Sequence, residues 1–383
     1  MRLNPLSGSN ISMMKLVAIT ALLLLASISN AASVDVYFGT GGKDTKGIYH
    51  AKFDTESGKL AQAELAAEIG GPGFLAFSPD KTRLYAVCQK NKAPSVAAYS
   101  VHSDGSLELL NTTPIGDGGG AHISVHPSNK FLMTAQYGGG SVAVYPIEKD
   151  GRVGKRAQLI EHEGGSGVVE KRQDKPHPHW TGYSPDGKFA FVPDLGLDQI
   201  VIYRINANEP SLSPHGVAQS IPGGGPRHMK FSIDGKFIYL LNELELSVTT
   251  FKYNAVAGSA EQLTTTRALS PETKAKERFN SSSEIIVHPN GRFVYSANRG
   301  NDSVTVYNAN PKTGKLVVKE VQAIRGAWPR NINMDASGRW LLAAGADSNT
   351  ISVFEIDQEN GELTFQTKSI INVPGSICIV FKE

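Results

Sequence analysis

The stretch Val287-His288-Pro289-Asn290-Gly291-Arg292-Phe293-Val294-Tyr295-Ser296-Ala297-Asn298-Arg299, followed shortly by Ser303-Val304-Thr305-Val306-Tyr307, decides how this chain is read. An apolar strand end runs into a Pro-Asn-Gly turn, a bulky strand follows, and a polar turn leads into a second alternating strand. A two-residue alternation puts successive side chains on opposite faces of a pleated strand, and Pro, Asn and Gly are residues of tight turns. The pattern recurs in Phe77-Ser78-Pro79-Asp80, Val125-His126-Pro127-Ser128-Asn129 and Tyr183-Ser184-Pro185-Asp186-Gly187. It returns in Phe231-Ser232-Ile233-Asp234-Gly235 and Met334-Asp335-Ala336-Ser337-Gly338. The turn positions 79, 127, 185, 233, 289 and 336 are spaced by 48, 58, 48, 56 and 47 residues. A near-fixed period of short strands, about four per unit, marks a β-propeller. A helical solenoid of similar period would need apolar residues every 3.6 positions, whereas Ser141-Val142-Ala143-Val144-Tyr145 alternates.

Six copies leave material at both ends. Residues 34–39 and 48–53 read as the second and third strands of a repeat, and 375–381 as a first strand. Joined, they make a seventh blade and close the ring, which removes the exposed edges of an open array. The expected fold is all-β: one seven-bladed β-propeller over 32–383, with four-stranded antiparallel blades and both chain ends in one blade. Two connections are long, 160–178 and 266–283, and both read as loops that precede an inner strand.

Composition agrees. The 383 residues are 40% hydrophobic with a net charge of +2, which excludes a disordered chain and shows none of the basic excess of a nucleic-acid binder. Glycine, 39 residues, is above its usual share of about 7%. Cys88 and Cys378 are the only cysteines, too few for a disulfide framework or a cysteine-rich zinc site. Lys15, the apolar run 16–28 and the small residues Ser29-Asn30-Ala31 read as a signal peptide over 1–31, cleaved after Ala31 or Ala32. Met13 or Met14 is an alternative start. The run falls short of the ~20 residues that span a bilayer, so a periplasmic or secreted protein without a membrane partner is expected.

Inner and second strands are antiparallel across each turn, so the start of one lies beside the end of the other. This gathers polar residues on one rim. His179 opens an inner strand and Asp194 closes the next, 15 residues on. Arg227-His228 meets Asn242-Glu243, Glu284 meets Asn298-Arg299, His122 meets Gln136-Tyr137, and the sixth repeat offers Arg330. Taken singly, such a charge is ordinarily solvated or paired. Asp194 and Asn298 could simply end strands through turn hydrogen bonds, and Glu284 could neutralise an arginine. Repetition at one register across distant repeats favours a shared cleft in the funnel of the ring. His177-Pro178-His179 has two histidines at same-face spacing, but no third and fourth ligand is evident, and no metal is expected. Gly118-Gly119-Gly120 and Gly223-Gly224-Gly225 lack the strand-to-helix setting of a phosphate loop. No Gly-x-Ser-x-Gly elbow occurs. The pair Lys171-Arg172 reads as a solvated loop.

Pro176-His177-Pro178-His179, Gly225-Pro226-Arg227-His228, Leu241-Asn242-Glu243, Ser283-Glu284-Ile285, Ser296-Ala297-Asn298-Arg299-Gly300 and Trp328-Pro329-Arg330 together resemble the bacterial seven-bladed propeller lactonases. The best-known members are 6-phosphogluconolactonases, and the fungal 3-carboxymuconate lactonising enzyme is a relative. The likeness covers roughly 34–381. It implies a metal-free, cofactor-free hydrolase of a small sugar-acid lactone, with catalytic residues falling on His179, Glu243, Arg227 and Arg299. His177, Asp194, His228, Glu284, Arg330 and His122 are the expected substrate-binding residues. The sequence departs from the pattern at Val87-Cys88-Gln89, at Gln136, where the family often has Asn, and in its leader. A phosphorylated pentose-pathway lactone is a cytoplasmic metabolite.

The chemistry can be argued separately. Arginine stays protonated and suits anion or oxyanion binding, which leaves His179 and Glu243 to handle protons. Two other readings stand beside hydrolysis: ring closure of a muconate-type diacid by the same residues, and a non-catalytic exported propeller, which predicts an apolar or aromatic rim. The oligomeric state is not legible.

Overall fold

Each second strand is used on both faces. In Phe293–Arg299 every residue is buried: Val294 packs toward the preceding blade with Phe237 and Tyr239, and Phe293, Tyr295 and Ala297 toward the following one with Leu341 and Phe354. A strand buried on both sides reads as continuously apolar, which is why the second strands are bulky where the inner strands mix polar and apolar residues.

The structure is a computed structural model that describes residues 33–383 apart from 43, 207–208 and 277–278; the expected signal peptide over 1–31 lies outside the described residues. Among the described residues the strands form seven antiparallel sheets. Blades 1 to 6 occupy 70–114, 120–161, 182–219, 226–267, 281–323 and 329–372. In blade 7, Ser376–Lys382 is the inner strand beside Ser33–Thr40, with Val36 opposite Phe381. Gly47–Asp54 follows, and the outer edge is split between Lys59–Leu60 and Glu64–Glu68. The ring thus closes through both chain ends, as the repeat count requires.

Seven clusters of buried side chains hold the ring together, one at each seam between neighbouring blades. Cys88 and Cys378 are free, buried thiols in the seam between blades 7 and 1. The turns between inner and second strands, at the end away from the charged rim, explain the Ser/His-Pro-Asp/Asn-Gly signature. Ser184 Oγ donates to Asp186 Oδ1 (2.7 Å) and accepts from Phe189 N (3.0 Å). Where histidine replaces serine it also ties blades: His288 Nδ1 accepts from Asn290 N, and Nε2 donates to Gly338 O of blade 6 (2.8 Å). His126 reaches Gly187 O of blade 3 in the same way (3.1 Å).

Two local expectations change. The inner strand of blade 3 does not begin at His179. Only Gly182–Tyr183 is strand, preceded by an isolated bridge from Pro178 to Asp194. Pro176 and Pro178 lack a donor for the ladder, and Trp180 folds against the Cα of Gly182 on its way into the seam with blade 4. The connection 266–283 is also not all loop. It holds a short helix, Pro271–Lys276, with Glu272 in its first turn and Ser270 Oγ accepting from Thr273 N (3.2 Å). Proline at the first helical position after a serine cap is a helix start signal, on too few residues to show a helical period.

Candidate active site

The charged residues reach the ring axis because the inner strands are bulged at one register. Pairing slips between Pro226 and His228, between Ser282 and Ile285, and between Pro329 and Asn331. The residues set free of the ladder are Arg227, Ser283-Glu284 and Arg330. A bulge leaves its extra residue unpaired and re-aims the side chain. Pro226 and Pro329, which have no N–H to give, sit at the start of two of these bulges. The resulting cavity, about 440 Å³, is lined on one side by His179, Arg227, His228, Glu243, Arg299 and Arg330 from blades 3 to 6. Blades 7, 1 and 2 supply the other side with Ile377, Phe74, Tyr137 and a run of glycines.

Glu243 is the centre of the charged side. Its Oε2 accepts from Arg227 Nε (2.8 Å) and pairs with Arg299 Nη2 (3.1 Å), and its Oε1 accepts from Arg172 Nη2 (2.6 Å). Burial alone would push this carboxyl up. Arg299 and Arg227, with His179 and Arg172, outweigh it and hold the group well below the usual carboxylate range. Glu243 is therefore a permanent anion and a weak base. Arg227 is fixed at three points: Glu243, the carbonyl of Ser283 and His228 Nε2 (3.1 Å). Burial, then the neighbouring Arg299, lowers it to about 9, still cationic at neutral pH. Arg299 donates to Ser282 O (2.8 Å) and lies over the Trp328 ring (5.5 Å). Arg330 has no hydrogen-bond or ion-pair partner among the described residues. Three arginines meet one carboxylate here and Arg330 adds a fourth cation on the same cavity, so the site carries the charge of an anion receptor.

His228 and Glu284 form a second layer. His228 Nδ1 donates to Glu284 Oε1 (2.9 Å), whose other oxygen accepts from Asn331 Nδ2 (2.6 Å). That fixes the tautomer of His228, leaving Nε2 to accept from Arg227. Burial drives the pKa of His179 well below its ordinary value, helped by Arg227 and His228, so its imidazole is neutral. Its Nδ1 is buried without a partner among the described residues. A neutral imidazole beside cationic guanidiniums is a base that stays unprotonated at neutral pH.

Of the ten residues singled out in the sequence, the structure brings His179, Arg227, His228, Glu243, Arg299 and Arg330 onto one cavity. Glu284 lies behind His228. His122 is buried against Phe74 (ring centroids 4.2 Å) and His228 (5.4 Å), with Nδ1 accepting from Thr181 N. His177 stacks on Tyr137 (4.3 Å) and donates from Nδ1 to its carbonyl (2.7 Å). Asp194 does not line the cavity. Its carboxylate, fully buried, accepts from the amides of His177, Gly196 and Leu197 and pairs with His162 Nδ1 (2.7 Å), which closes a strand. No cluster of three or more metal-ligating side chains occurs among the described residues.

The sequence reading missed Arg172. Lys171 is solvated as expected, but Arg172 turns inward to Glu243 and to Tyr137 Oη (3.4 Å). Its loop is anchored next door by Gln173, fully buried, which donates to Leu195 O (2.8 Å) and Asp198 Oδ1 (2.6 Å). Asp198 also accepts from Gly223 N (2.7 Å) and Gly225 N (2.9 Å), so one carboxylate holds the loops leading to Arg172 and to Arg227. The 58-residue repeat spacing flagged the insertion; nothing in it distinguished Arg172 from Lys171.

A propeller with an arginine-rich constellation at its axis defines the class, and residues 35–381 match the family model "Lactonase, 7-bladed beta-propeller". The chain belongs to this lactonase family, and so to the carboxylic-ester hydrolases. It is 33% identical over 347 residues to a 6-phosphogluconolactonase of Bacillus subtilis (strain 168), covering 90% of this chain and 97% of that one. A 6-phosphogluconolactonase of Formosa agariphila is 32% identical, over 85% and 92% of the two chains. The solved periplasmic gluconolactonase of Pseudomonas aeruginosa superposes with a TM-score of 0.84 at 27% identity, covering 91% of this chain and 99% of its own.

Proposed function

We propose that this protein hydrolyses a sugar-acid lactone with His179 as the base and the arginines as its anion-binding and oxyanion groups. His179, neutral and without a partner at Nδ1, takes a proton from water as the water oxygen attacks the ester carbonyl. Negative charge on the carbonyl oxygen is met by Arg227 and Arg299, whose guanidiniums are already fixed by Glu243, Ser282 and Ser283 and need no reorganisation. The tetrahedral adduct collapses, the ring C–O bond breaks, and the departing alkoxide receives the proton from the His179 imidazolium. Glu243 balances and orients the arginines and does not accept the proton. Arg330, without a protein partner, binds an anionic or hydroxyl-rich part of the substrate.

The observation that carries this reading is the convergence of a neutral histidine with Arg227, Arg299 and Arg330 on one cavity. The signal-like leader and the similarity to a periplasmic gluconolactonase support action outside the cytoplasm, on a lactone that need not be phosphorylated. The test is turnover of a panel of aldonolactones, with and without a 6-phosphate and with a muconate as control, by wild type, His179→Ala, Arg227→Ala and Glu243→Gln. Loss of about 100-fold or more in each variant is expected; near-wild-type turnover in all three contradicts the assignment.

A further inference from the structure

The two sides of the cavity are unlike. The charged side comes from blades 3 to 6. The side from blades 7, 1 and 2 carries no charge, and three of its residues are glycines that neither the backbone nor packing demands. In the triplet Gly118-Gly119-Gly120, a Cβ at Gly118 would strike the backbone of Gly139 at 2.4 Å and one at Gly120 would strike Val87 at 2.5 Å; at Gly119 it would meet nothing within 4 Å. In Gly138-Gly139-Gly140, Gly139 makes room for the Asp117 carboxylate and Gly140 has a φ of +84°, whereas a Cβ at Gly138 would again meet nothing. At Gly73 it would touch only Ile377 at 3.6 Å and Gly71 at 3.9 Å. All three have ordinary φ, and all three line the cavity.

These glycines therefore leave space, and it opens onto polar groups that call for a ligand. His179, 8% exposed with Nδ1 unpartnered among the described residues, and Arg330, which has no partner among them, line the same cavity. A volume of about 440 Å³ lies in the range that encloses drug-sized ligands, more than one six-carbon lactone fills. No residue lining this side is a cation for a phosphate, and Lys175 at its edge is engaged on Gly138 O (3.2 Å). The side offers peptide groups and the partly exposed Phe74 ring, a surface for hydroxyls and C–H faces.

We propose that the site takes an aldonolactone extended by a second, uncharged sugar unit, with the lactone ring against His179 and the arginines and the added sugar over Gly73, Gly119, Gly138 and Phe74. The proposal rests on the lactonase reading. Its test compares kcat/KM for glucono-1,5-lactone and cellobiono-1,5-lactone in wild type, Gly119→Leu and Gly138→Leu. Wild type is expected to open both within about tenfold of each other, and each leucine to lower the disaccharide-to-monosaccharide ratio by about tenfold or more, mainly through KM. The ratio is internal to each variant, so partial misfolding does not mimic the effect. Turnover of glucono-1,5-lactone alone by wild type, or a ratio unmoved by both leucines, overturns the extended-substrate proposal and leaves the lactonase reading standing. Turnover of neither by wild type overturns the extended-substrate proposal, and the 6-phosphate arm of the lactone panel then decides the lactonase reading separately.

Discussion

Arg172 Nη2 lies 2.6 Å from Glu243 Oε1, joining a loop of the blade 2–3 connection to a strand end of blade 4. It gives Glu243 a third guanidinium, on the oxygen that Arg227 and Arg299 leave open. The Arg172 side chain is 31% exposed and Glu243 is 7% exposed. A charge-assisted hydrogen bond is worth ~1.5–3 kcal/mol, which solvent reduces to about 1 kcal/mol here. Arg172→Met should lower kcat/KM about fivefold with little change in thermal unfolding, and Arg172→Lys should restore part of it. A loss as deep as that of His179→Ala, or none, would show that the loop plays another part.

Glu243→Gln removes the one carboxylate among four arginines. Deleting one partner of a buried ion pair costs ~3–5 kcal/mol, because the remaining charges are left uncompensated. Urea unfolding of Glu243→Gln should show a loss of about 3 kcal/mol or more. A variant within about 1 kcal/mol of wild type would mean that the arginines are satisfied elsewhere.

Acid should destabilise the ring before carboxylates titrate. His122, His179 and His228 are all buried and held below their ordinary pKa, first by burial. The unfolded chain therefore binds their protons first: stability is full above pH ~6.5 and falls as pH drops below it, by about 1 kcal/mol per histidine at pH 5.5. Lowered Glu243 adds a further loss at lower pH. Glu284, raised by burial, has the opposite sign: its contribution is present in acid and lost as pH rises. Chemical denaturation at pH 7.5 and 5.5 should show the drop, with a shallower one in His228→Gln. A flat profile would contradict neutral histidines.

Asp198 offers a test of loop positioning. Its two oxygens take Gln173 Nε2, Gly225 N and Gly223 N, and an asparagine side chain in its place would turn an amide donor toward one of these donors. Asp198→Asn should cost about 2 kcal/mol of stability and lower kcat/KM, although the residue touches no cavity wall. Unchanged kinetics in a destabilised variant would limit Asp198 to holding the fold.

The ring was legible because turns and alternation repeat: 79, 127, 185, 233, 289 and 336 place every blade, and antiparallel pairing places the rim. Six rim residues follow from that register alone. What the register cannot show is a side chain diverted by local hydrogen bonding. Asp194 holds the register of Asn242 and Asn298, one residue short of Glu243 and Arg299, so its side chain turns to its own blade, where His162 and the amides of His177, Gly196 and Leu197 claim it. Arg172 lies in an insertion with no repeat to compare, and its inward turn depends on Gln173 being buried by Leu195 and Asp198. The shared bulges are visible only in the ladder, although the prolines at 226 and 329 are their trace in the sequence.

The central claim is that His179 works as a neutral base beneath cationic arginines. The pH dependence of kcat/KM on glucono-1,5-lactone, corrected for spontaneous hydrolysis, tests it most directly. Activity that needs unprotonated His179 is lost only as pH falls through its depressed pKa, so the profile should be flat across pH 6.5–7.5 with its acid limb below about 6.5, and His179→Ala should abolish that limb along with most of the rate. An acid limb at or above pH 7, or one that persists in His179→Ala, would contradict it.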